Sequence, residues 1–310
     1  MTGSECRFAN GPFAGVSLGK AWREMPAEWA GTMAGSDGDF PLLVKFIFAA
    51  DKLSVQVHPD DDYAARHERA AGGRGKTEMW YVVRARAGAE VLVGLKPGVT
   101  RESFERAIEE GTAEDCLTRV PARAGEAIFV PAGTAHTIGP GLLLCEIQQN
   151  SDLTYRVYDY NRRNEKGEAR PLHVEKALEV LRFGKQTGGK IEPVRIERGS
   201  ATETYFVACR YFAAEKWEFS GRVQAASSRA HFDLLVFLEG RGDIRWGAES
   251  LEYGPSQAWM IPAALGDFQL NPRAHTALLR TYAPCDTNEF VQRLADAGAS
   301  QTAVSQIIHP

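Results

Sequence analysis

The amino-acid sequence predicts a mainly β protein, built from two β-barrel units with a few short helices. Short segments rich in β-branched and aromatic residues recur along the 310 residues, with glycine or proline between them. One seven-residue strand pattern also occurs twice, as EAIFVPA (126–132) and QAWMIPA (257–263). Short strands with short turns are typical of sandwiches and barrels, and the repeat indicates two copies of one unit.

The first half of the chain contains seven predicted strands and three predicted helices. The strands are LLVKFIFAA (42–50), LSVQVH (53–58), MWYVVRA (79–85), EVLVGL (90–95), EAIFVP (126–131), LLLCEIQQ (142–149) and TYRVYDY (154–160). The helices are DDDYAARHERAA (60–71), RESFERAIEE (101–110) and LHVEKALEVLRF (172–183). An Asp run opens the first helix and Thr100 precedes the second, as expected at helix N-termini, whereas the third has apolar residues at helical spacing.

A stretch rich in Gly, Lys and Pro, GKQTGGKIEPVRIERGS (184–200), predicts a domain boundary. We therefore expect one barrel in residues 1–185 and a second in 186–310. The second half again contains β-rich segments, TYFVACRYFAAEKWEF (204–219), HFDLLVFLEGRGDIRW (231–246), SQAWMIPAALGDFQL (256–270) and HTALLRTYAP (275–284). The tail, 286–310, predicts a short helix and an extension to which the sequence assigns no function.

Composition narrows the class of protein. With 44% hydrophobic and 25% charged residues and a formal net charge of −4, the chain resembles an ordinary globular protein without a basic patch for nucleic acid. No apolar run approaches the roughly 18 residues that span a bilayer, and the N-terminus lacks a signal-peptide layout, which predicts a cytoplasmic protein. The five scattered cysteines contain no C-x-x-C pair, so we expect reduced thiols, with Cys145 in the core.

The strand LSVQVHPDD (53–61) has one apolar face and one polar face. Because side chains alternate, Ser54, Gln56 and His58 point one way and the valines between them the other. An amide oxygen and an imidazole nitrogen two residues apart can reach one ion if other strands supply further ligands. The alternative is a half-exposed strand with a polar outer face.

A second candidate ligand follows the turn after the repeated strand. Gly125, Pro131, Gly133 and His136 have the spacing G-x5-P-x-G-x2-H, in which the glycines permit tight turns that aim the imidazole into the barrel. In the second copy Asp267 stands where His136 would be. We therefore expect a metal site in the first barrel and none in the second.

The segment GKTEMWYVV supplies a third ligand, Glu78, at the start of a strand that we expect to pair beside 53–58. Two neutral nitrogens, one carboxylate and one amide oxygen then come from His58, His136, Glu78 and Gln56. This set suits zinc, with manganese, iron or cobalt as substitutes. Each ligand has another interpretation: His58 as a helix cap, Glu78 as a surface partner of Lys76, and His136 as a core histidine.

Four motifs in order, LSVQVHPDD, GKTEMWYVV, VPAGTAHTIG and EIQQNSDLTYRVYDYNR, resemble the short class I mannose-6-phosphate isomerases, zinc-dependent members of the cupin superfamily. The resemblance is specific from about Asn10 to Arg163 and looser to about Pro284. It implies two cupin (jelly-roll) barrels, metal-binding in 1–185 and degenerate in 186–310. It also implies one zinc ion per chain, held by Gln56, His58, Glu78 and His136.

The implied reaction interconverts mannose 6-phosphate and fructose 6-phosphate through an enediol, which needs proton transfer and a cation near the developing oxyanion. The resemblance assigns catalysis to Lys76 and Arg156 and places Ser54 near the sugar phosphate. Lys76 should project on the same face as Glu78, where a nearby cation would lower its pKa. Asp152 could orient Arg156, so we expect Ser54, Lys76, Asp152 and Arg156 to contact substrate; the alternative is a plain Asp152–Arg156 surface ion pair.

The chain departs from the family at its start. Relatives have W-G-G and G-E-S-W segments before the N-G-P element, whereas FANGPFAG begins here at Phe8, so we expect a strand or two to be missing and the phosphate pocket to differ. The other hypotheses are an isomerase of another sugar phosphate, a non-catalytic sugar-phosphate-binding cupin and an iron oxygenase. An amide ligand and nearby cationic groups argue against the oxygenase. The expected partner is a small sugar phosphate, with no nucleic acid or membrane, for a monomer or homodimer.

Overall fold

A computed structural model describes residues 6–32 and 38–309. Its α-helices are α1 (Leu18–Glu24), α2 (Ala27–Ala30), α3 (Asp61–His67), α4 (Arg101–Glu109), α5 (Val174–Val180), α6 (Asn288–Asp296) and α7 (Gln301–Ile307), with 3-10 turns at Arg69–Ala71 and Ala113–Cys116. Its strands are β1 (Leu42–Ala49), β2 (Val55–Val57), β3 (Glu78–Ala85), β4 (Glu90–Leu95), β5 (Leu117–Pro121), β6 (Ala127–Val130), β7 (His136–Ile138), β8 (Leu142–Gln149), β9 (Tyr155–Tyr158), β10 (Gly189–Lys190), β11 (Val194–Arg198), β12 (Ala201–Cys209), β13 (Ala213–Phe219), β14 (Val223–Ala226), β15 (Asp233–Glu239), β16 (Gly242–Trp246), β17 (Glu249–Tyr253), β18 (Ala258–Ile261), β19 (Asp267–Pro272), β20 (Thr276–Tyr282) and β21 (Ile308–His309). The mainly β prediction is confirmed.

The chain divides into two compact units. Leu43–Ile191 forms the first unit, and the described residues of Met1–Leu42 group with Glu192–Pro310 in the second. The early residues join the second unit because Trp22 and Phe40 pack on Phe232, with ring centroids 5.4 Å and 5.1 Å away. Residues up to Ile191 stay with the first unit because β10 pairs with β6. These limits differ from the boundary drawn at 185/186.

The first unit consists of two antiparallel sheets around an apolar core. One sheet has the order β1-β8-β3-β6-β10 and the other β5-β4-β7-β2-β9. Trp80, Val91, Ile128 and Leu144 are fully buried in its core. All seven strands and three helices predicted for this half are present, and the side chain of Thr100 accepts from the backbone N–H of Ser103 in a capping box.

The second unit repeats this strand order. Its sheets run β11-β12-β13-β20-β15-β18 and β14-β19-β16-β17, so that β20-β15-β18 correspond to β8-β3-β6. The repeated sequence forms β6 and β18. Val130 and Ile261 each precede the Pro-Ala that the two repeats share. Glu78 lies opposite Val130 and Asp233 lies opposite Ile261, so Asp233 is the counterpart of Glu78.

The tail contains more structure than the predicted helix and extension. The helix α6 places Phe290 against Tyr205 with ring centroids 5.3 Å apart, and α7 follows after Ser300, whose side chain accepts from the N–H of Ala303. The short β21 then pairs in parallel with β12. The tail therefore packs as part of the second unit.

Two further expectations can be compared with the structure. Cys145 is buried as predicted, and burial raises the pKa of its thiol to about 12, which leaves it unreactive. In residues 6–32 and 38–309, no helix has the length and apolar character needed to cross a membrane.

Gly133 fixes the turn that leads into β7. Its φ is +81°, its N–H donates to the carbonyl of His58 at 2.8 Å, and an added Cβ would lie 2.9 Å from the carbonyl oxygen of Val180. We expect Gly133→Ala to lower the free energy of unfolding by roughly 3 kcal/mol, from φ strain plus overlap. Urea denaturation measures this change.

Gly125→Ala is the matched control for that substitution. Gly125 also has a positive φ, +89°, but an added Cβ would meet nothing within 4 Å. Strain alone should cost about 1–2 kcal/mol there. Equal losses in the two variants would contradict the claim that the close approach at Gly133 matters.

Candidate metal centre

Three buried side chains of the first unit converge on one point. One ligand atom from each of His58, Glu78 and His136 lies within 4.8 Å of the others. Nε2 of His136 is 3.3 Å from Oε1 of Glu78, and Nε2 of His58 is 3.6 Å from Oε2. All three side chains are at most 1% exposed. The sequence predicted that these three side chains converge, from the alternation of side chains, the turn before His136 and the family resemblance.

The strands that supply these ligands come from both sheets. His136 lies directly opposite Gln56 across the β2–β7 pair. Glu78 begins β3, which pairs with β6 and β8 in the other sheet. The prediction that the Glu78 strand pairs beside 53–58 was therefore wrong. The carboxylate instead reaches the imidazoles across the buried interior between the sheets.

Both imidazoles are held as neutral ligands. Nδ1 of His58 lies 2.7 Å from the carbonyl of Leu153, and Nδ1 of His136 lies 2.9 Å from that of Thr134. A carbonyl only accepts, so each Nδ1 carries the proton and each Nε2 has a free lone pair. Burial, reinforced by the charge of Lys76, lowers the pKa of His58 well below its usual value. Burial likewise lowers the pKa of His136 to about 4.

Glu78 provides the test of whether a cation fits. Both of its carboxylate oxygens are buried, and neither accepts a well-aligned hydrogen bond, although Nζ of Lys76 lies 2.7 Å from Oε2. Oε1 of Glu78 has no donor and faces Nε2 of His136 at 3.3 Å, and a buried carboxylate oxygen without a donor is costly unless a further cation binds it. Two neutral imidazole nitrogens and this carboxylate are a donor set typical of zinc, and the site therefore fits a divalent ion.

Gln56 is placed to complete the set. Its side chain is half-buried, and its amide nitrogen lies 3.2 Å from Nε2 of His136. A half-turn of the amide plane exchanges its oxygen and nitrogen, which would point Oε1 at the same space. The predicted role of Gln56 as the fourth ligand is consistent with this position and stays a prediction.

Lys76 lies inside the cluster rather than at its edge. Its side chain is buried, and Nζ is 3.2 Å from Nε2 of His58. Burial lowers the pKa of the Lys76 ammonium, but the charges of Glu78 and Glu146 outweigh burial and raise it above its usual value. With only the charges of the protein present, Lys76 is therefore a hydrogen-bond donor at neutral pH. The lower pKa that the sequence predicted for Lys76 would require a bound metal ion.

Sequence reasoning missed three polar residues beside the cluster: Lys45, Glu146 and Gln148. Nζ of Lys45 donates to Oε1 of Gln148 at 2.8 Å, and Glu146 accepts from Nε1 of Trp80 at 3.0 Å. Gln148 lies opposite Glu78 in the β3–β8 pair. The signal was present in LLLCEIQQ, where Glu146 and Gln148 alternate with apolar residues.

Arg156 lies on β9 directly opposite Gln56, so both side chains project from the same face. Its Nη1 donates to the carbonyl of Pro171 at 3.0 Å, whereas its buried Nε has no hydrogen-bond partner. Burial and the nearby charge of Arg170 lower the pKa of Arg156. Asp159 balances part of this charge through a 2.5 Å contact with Nη2 of Arg170.

Asp152 and Ser54 stand apart from this arrangement. Asp152 is exposed, and its carboxylate is 3.8 Å from Nζ of Lys45. Within the described ranges no ion pair joins Asp152 to Arg156, so the expected orienting contact is not formed. Ser54 is buried immediately before β2. Roles for Asp152 and Ser54 in substrate binding stay predictions.

The buried histidines predict how stability depends on pH. In the metal-free protein His136 has a pKa of about 4, whereas in the unfolded chain it titrates near 6.5. Above pH 6.5 both states are neutral there, and as the pH falls the unfolded state takes up the proton first. We expect the free energy of unfolding to drop by about 3 kcal/mol between pH 6.5 and 4 from this residue alone.

Urea titrations with a chelator present, repeated across this pH range, measure the effect. His136→Gln should flatten the pH dependence, whereas His275→Gln, at an exposed histidine, should preserve it. An unchanged slope in His136→Gln would contradict the assignment of the low pKa to this imidazole.

Two family models and several relatives match the chain. A model described as phosphomannose isomerase type I, catalytic domain, covers residues 3–81, and one described as mannose-6-phosphate isomerase, cupin domain, covers 202–281. A probable mannose-6-phosphate isomerase of Bacillus subtilis is 41% identical over 84% of this chain and 80% of its own length. The chain belongs to the type I mannose-6-phosphate isomerase family.

Other members of this family extend the comparison. A mannose-6-phosphate isomerase of Streptococcus mutans is 37% identical over the same shares of the two chains. The crystal structure of a mannose 6-phosphate isomerase from Bacillus subtilis has a TM-score of 0.81 at 30% identity, covering 89% of this chain and 84% of its own. A zinc-bound mannose 6-phosphate isomerase structure shares the fold, with a TM-score of 0.67 at 17% identity over 86% and 85% of the two chains.

Proposed function

We propose that this chain interconverts mannose 6-phosphate and fructose 6-phosphate with zinc in the first unit. The observation that carries the proposal is a buried group of two neutral imidazoles and one carboxylate in a member of this isomerase family. One oxygen of this carboxylate has no donor, and the other lies against the ammonium of Lys76. Aldose–ketose isomerisation needs a cation near the sugar oxygens and a group that moves one proton between C2 and C1.

We propose Gln56, His58, Glu78 and His136 as the zinc ligands. Three of these residues already lie close together, and both sheets hold them in place at strand ends. They are His58, Glu78 and His136. When bound, zinc would supply positive charge that stabilises negative charge developing on substrate oxygen. The four side chains would hold the ion in the buried space that the side chain of Lys76 also enters.

Two residues are suited to hold the transferred proton or to donate to oxygen. Lys76 is buried and protonated, so it would donate a hydrogen bond to a sugar oxygen and stabilise the enediolate. Glu146 is a buried carboxylate whose pKa is raised by burial and by the charge of Glu78. Both causes favour the protonated form of Glu146, so we propose it beside Lys76 as a candidate for proton transfer.

Arginines beside β9 suit the anionic part of the substrate. Arg156, Arg162 and Arg170 lie close enough to influence one another, and Asp159 is the carboxylate that balances them. The free Nε of Arg156 and the excess positive charge favour an oxyanion or phosphate, which guanidinium groups bind in a bidentate manner. We propose that Arg156 binds the substrate here and that Ser54 lies near the phosphate.

A coupled assay with mannose 6-phosphate tests the function. The purified chain should convert this sugar to fructose 6-phosphate, lose activity after chelation and regain it on addition of zinc. Metal analysis of the same samples should follow the activity. Zinc binding without turnover would favour a non-catalytic sugar-phosphate-binding protein, whereas turnover of another sugar phosphate alone would change the substrate.

A further inference from the structure

We propose that the second unit has a ligand site of its own, which binds a small uncharged polyhydroxylated molecule such as a free hexose. A cavity of about 520 Å³ lies in this unit, lined by the β11–β12 turn and by residues of β13, β14, β20 and α6. This volume is within the range of small-molecule pockets. The proposal does not rest on the isomerase activity assigned to the first unit.

Arg280, which lines the cavity, pairs with Asp233, the residue that corresponds to Glu78 of the first unit. Asp233 contacts one imidazole and a guanidinium: Nδ1 of His231 lies 3.4 Å from its Oδ1, and Nη2 of Arg280 lies 3.0 Å from its Oδ2. Nη1 of Arg280 donates to Oε1 of Glu215 at 2.6 Å, and all four side chains are buried. Arg280, which lines the cavity, thus places a fixed positive group at the base of the site.

The cavity lining contains one unsatisfied donor, and an unsatisfied acceptor lies close to it on the same strand. Trp217 lines the cavity with 5% of its surface exposed, and its indole Nε1 has no hydrogen-bond partner. Glu215 lies two residues away on the same face of β13, and its buried Oε2 has no partner either. Buried polar groups are almost always paired, and a hydroxyl both donates and accepts. A ligand that carries several hydroxyls suits such a pair.

The charges of the lining argue for an uncharged ligand. Nε of Arg198 lies 3.3 Å from Glu203, and Nη1 of Arg293 lies 3.2 Å from Glu215. Arg222 donates to the side-chain oxygen of Asn271 at 2.9 Å. The guanidinium groups are therefore already engaged, and a phosphate would also meet the neighbouring carboxylates. Hydroxyl groups can bond to both kinds of side chain without adding charge.

Fluorine NMR of the full chain labelled with 5-fluorotryptophan tests this site. The sequence has six tryptophans, and Trp217→Phe assigns the resonance of Trp217. We expect D-mannose to shift this resonance saturably and inorganic phosphate to leave it unchanged. Trp80, whose ring lies 5.4 Å from that of His136, reports separately on the metal centre.

A blocking variant localises the binding. Ala226 is exposed and lines the cavity, so Ala226→Tyr should abolish the shift of the Trp217 resonance. Ala248→Tyr, at an exposed position in the β16–β17 hairpin outside the cavity lining, is the matched control and should keep the shift. Both variants should turn over mannose 6-phosphate as the unmodified chain does.

Three results would overturn the proposal. These are no shift of the Trp217 resonance at saturating D-mannose, a shift produced by inorganic phosphate instead, or a shift that Ala226→Tyr leaves intact. None of them bears on the isomerase activity, because turnover is measured independently on the same proteins.

Discussion

Glu78→Gln should remove both the metal and the isomerase activity. The substitution keeps the size of the side chain but replaces the one carboxylate that lies within 3.6 Å of both imidazole Nε2 atoms. Zinc prefers anionic oxygen to a neutral amide, so we expect metal content to fall toward zero. Because charge stabilisation of the developing oxyanion is lost with the ion, kcat/KM should fall on the order of 1,000-fold.

Metal analysis and the coupled assay measure these losses, and the melting temperature shows whether the variant is folded. Glu126→Gln is the control, since Glu126 lies in the same unit but pairs with the exposed Lys190. It should retain metal and activity. A folded Glu78→Gln protein that keeps stoichiometric zinc would overturn the ligand assignment.

Arg156→Ala should impair catalysis while leaving the metal in place. Arg156 faces the same side as Gln56 but is not one of the proposed ligands, and its Nε lacks a partner in the protein. Loss of one charged donor to a developing oxyanion typically costs about 100-fold in rate, so kcat/KM should fall by about that factor. Steady-state kinetics together with metal analysis separate this effect from loss of zinc.

Arg163→Ala provides the comparison for that variant. Arg163 follows β9 a few residues later, is exposed and donates to the carbonyl of Gly167. Its removal should leave kcat and KM unchanged. If Arg156→Ala were equally active, Arg156 would have no part in the reaction, although the metal centre would stand.

The sequence predicted local structure better than it predicted the pairing of distant segments. Alternation of side chains was sufficient to find seven strands of the first unit, although not β5, β7 and β10, and to place Gln56 and His58 on one polar face. It did not determine which sheet contains β3, because both partners of that strand, β6 and β8, lie far along the chain. The sequence also did not show that residues up to Leu42 group with the second unit. That grouping again depends on a contact between distant segments, the aromatic packing against Phe232.

The site residues divide in the same way. His58, Glu78 and His136 converge as predicted, because each stands at a strand end whose motif is recognisable in sequence. Lys45 and Glu146 were missed because their relevance comes from cross-strand neighbours rather than from their own motifs. The expected contact between Asp152 and Arg156 failed because Asp152 turns toward Lys45 instead.

Arg280 gives the second unit a positive group that is part of its own polypeptide chain. Its guanidinium forms ion pairs with Glu215 and Asp233 in the folded chain, and these ion pairs do not depend on the concentration of any metal ion. Chelators or metal starvation should therefore remove the proposed ion from the first unit and leave the fold of the second unit unchanged. If the proposed zinc site is correct, the first unit needs an ion from solution, whereas the positive charge of the second unit is encoded in its own sequence.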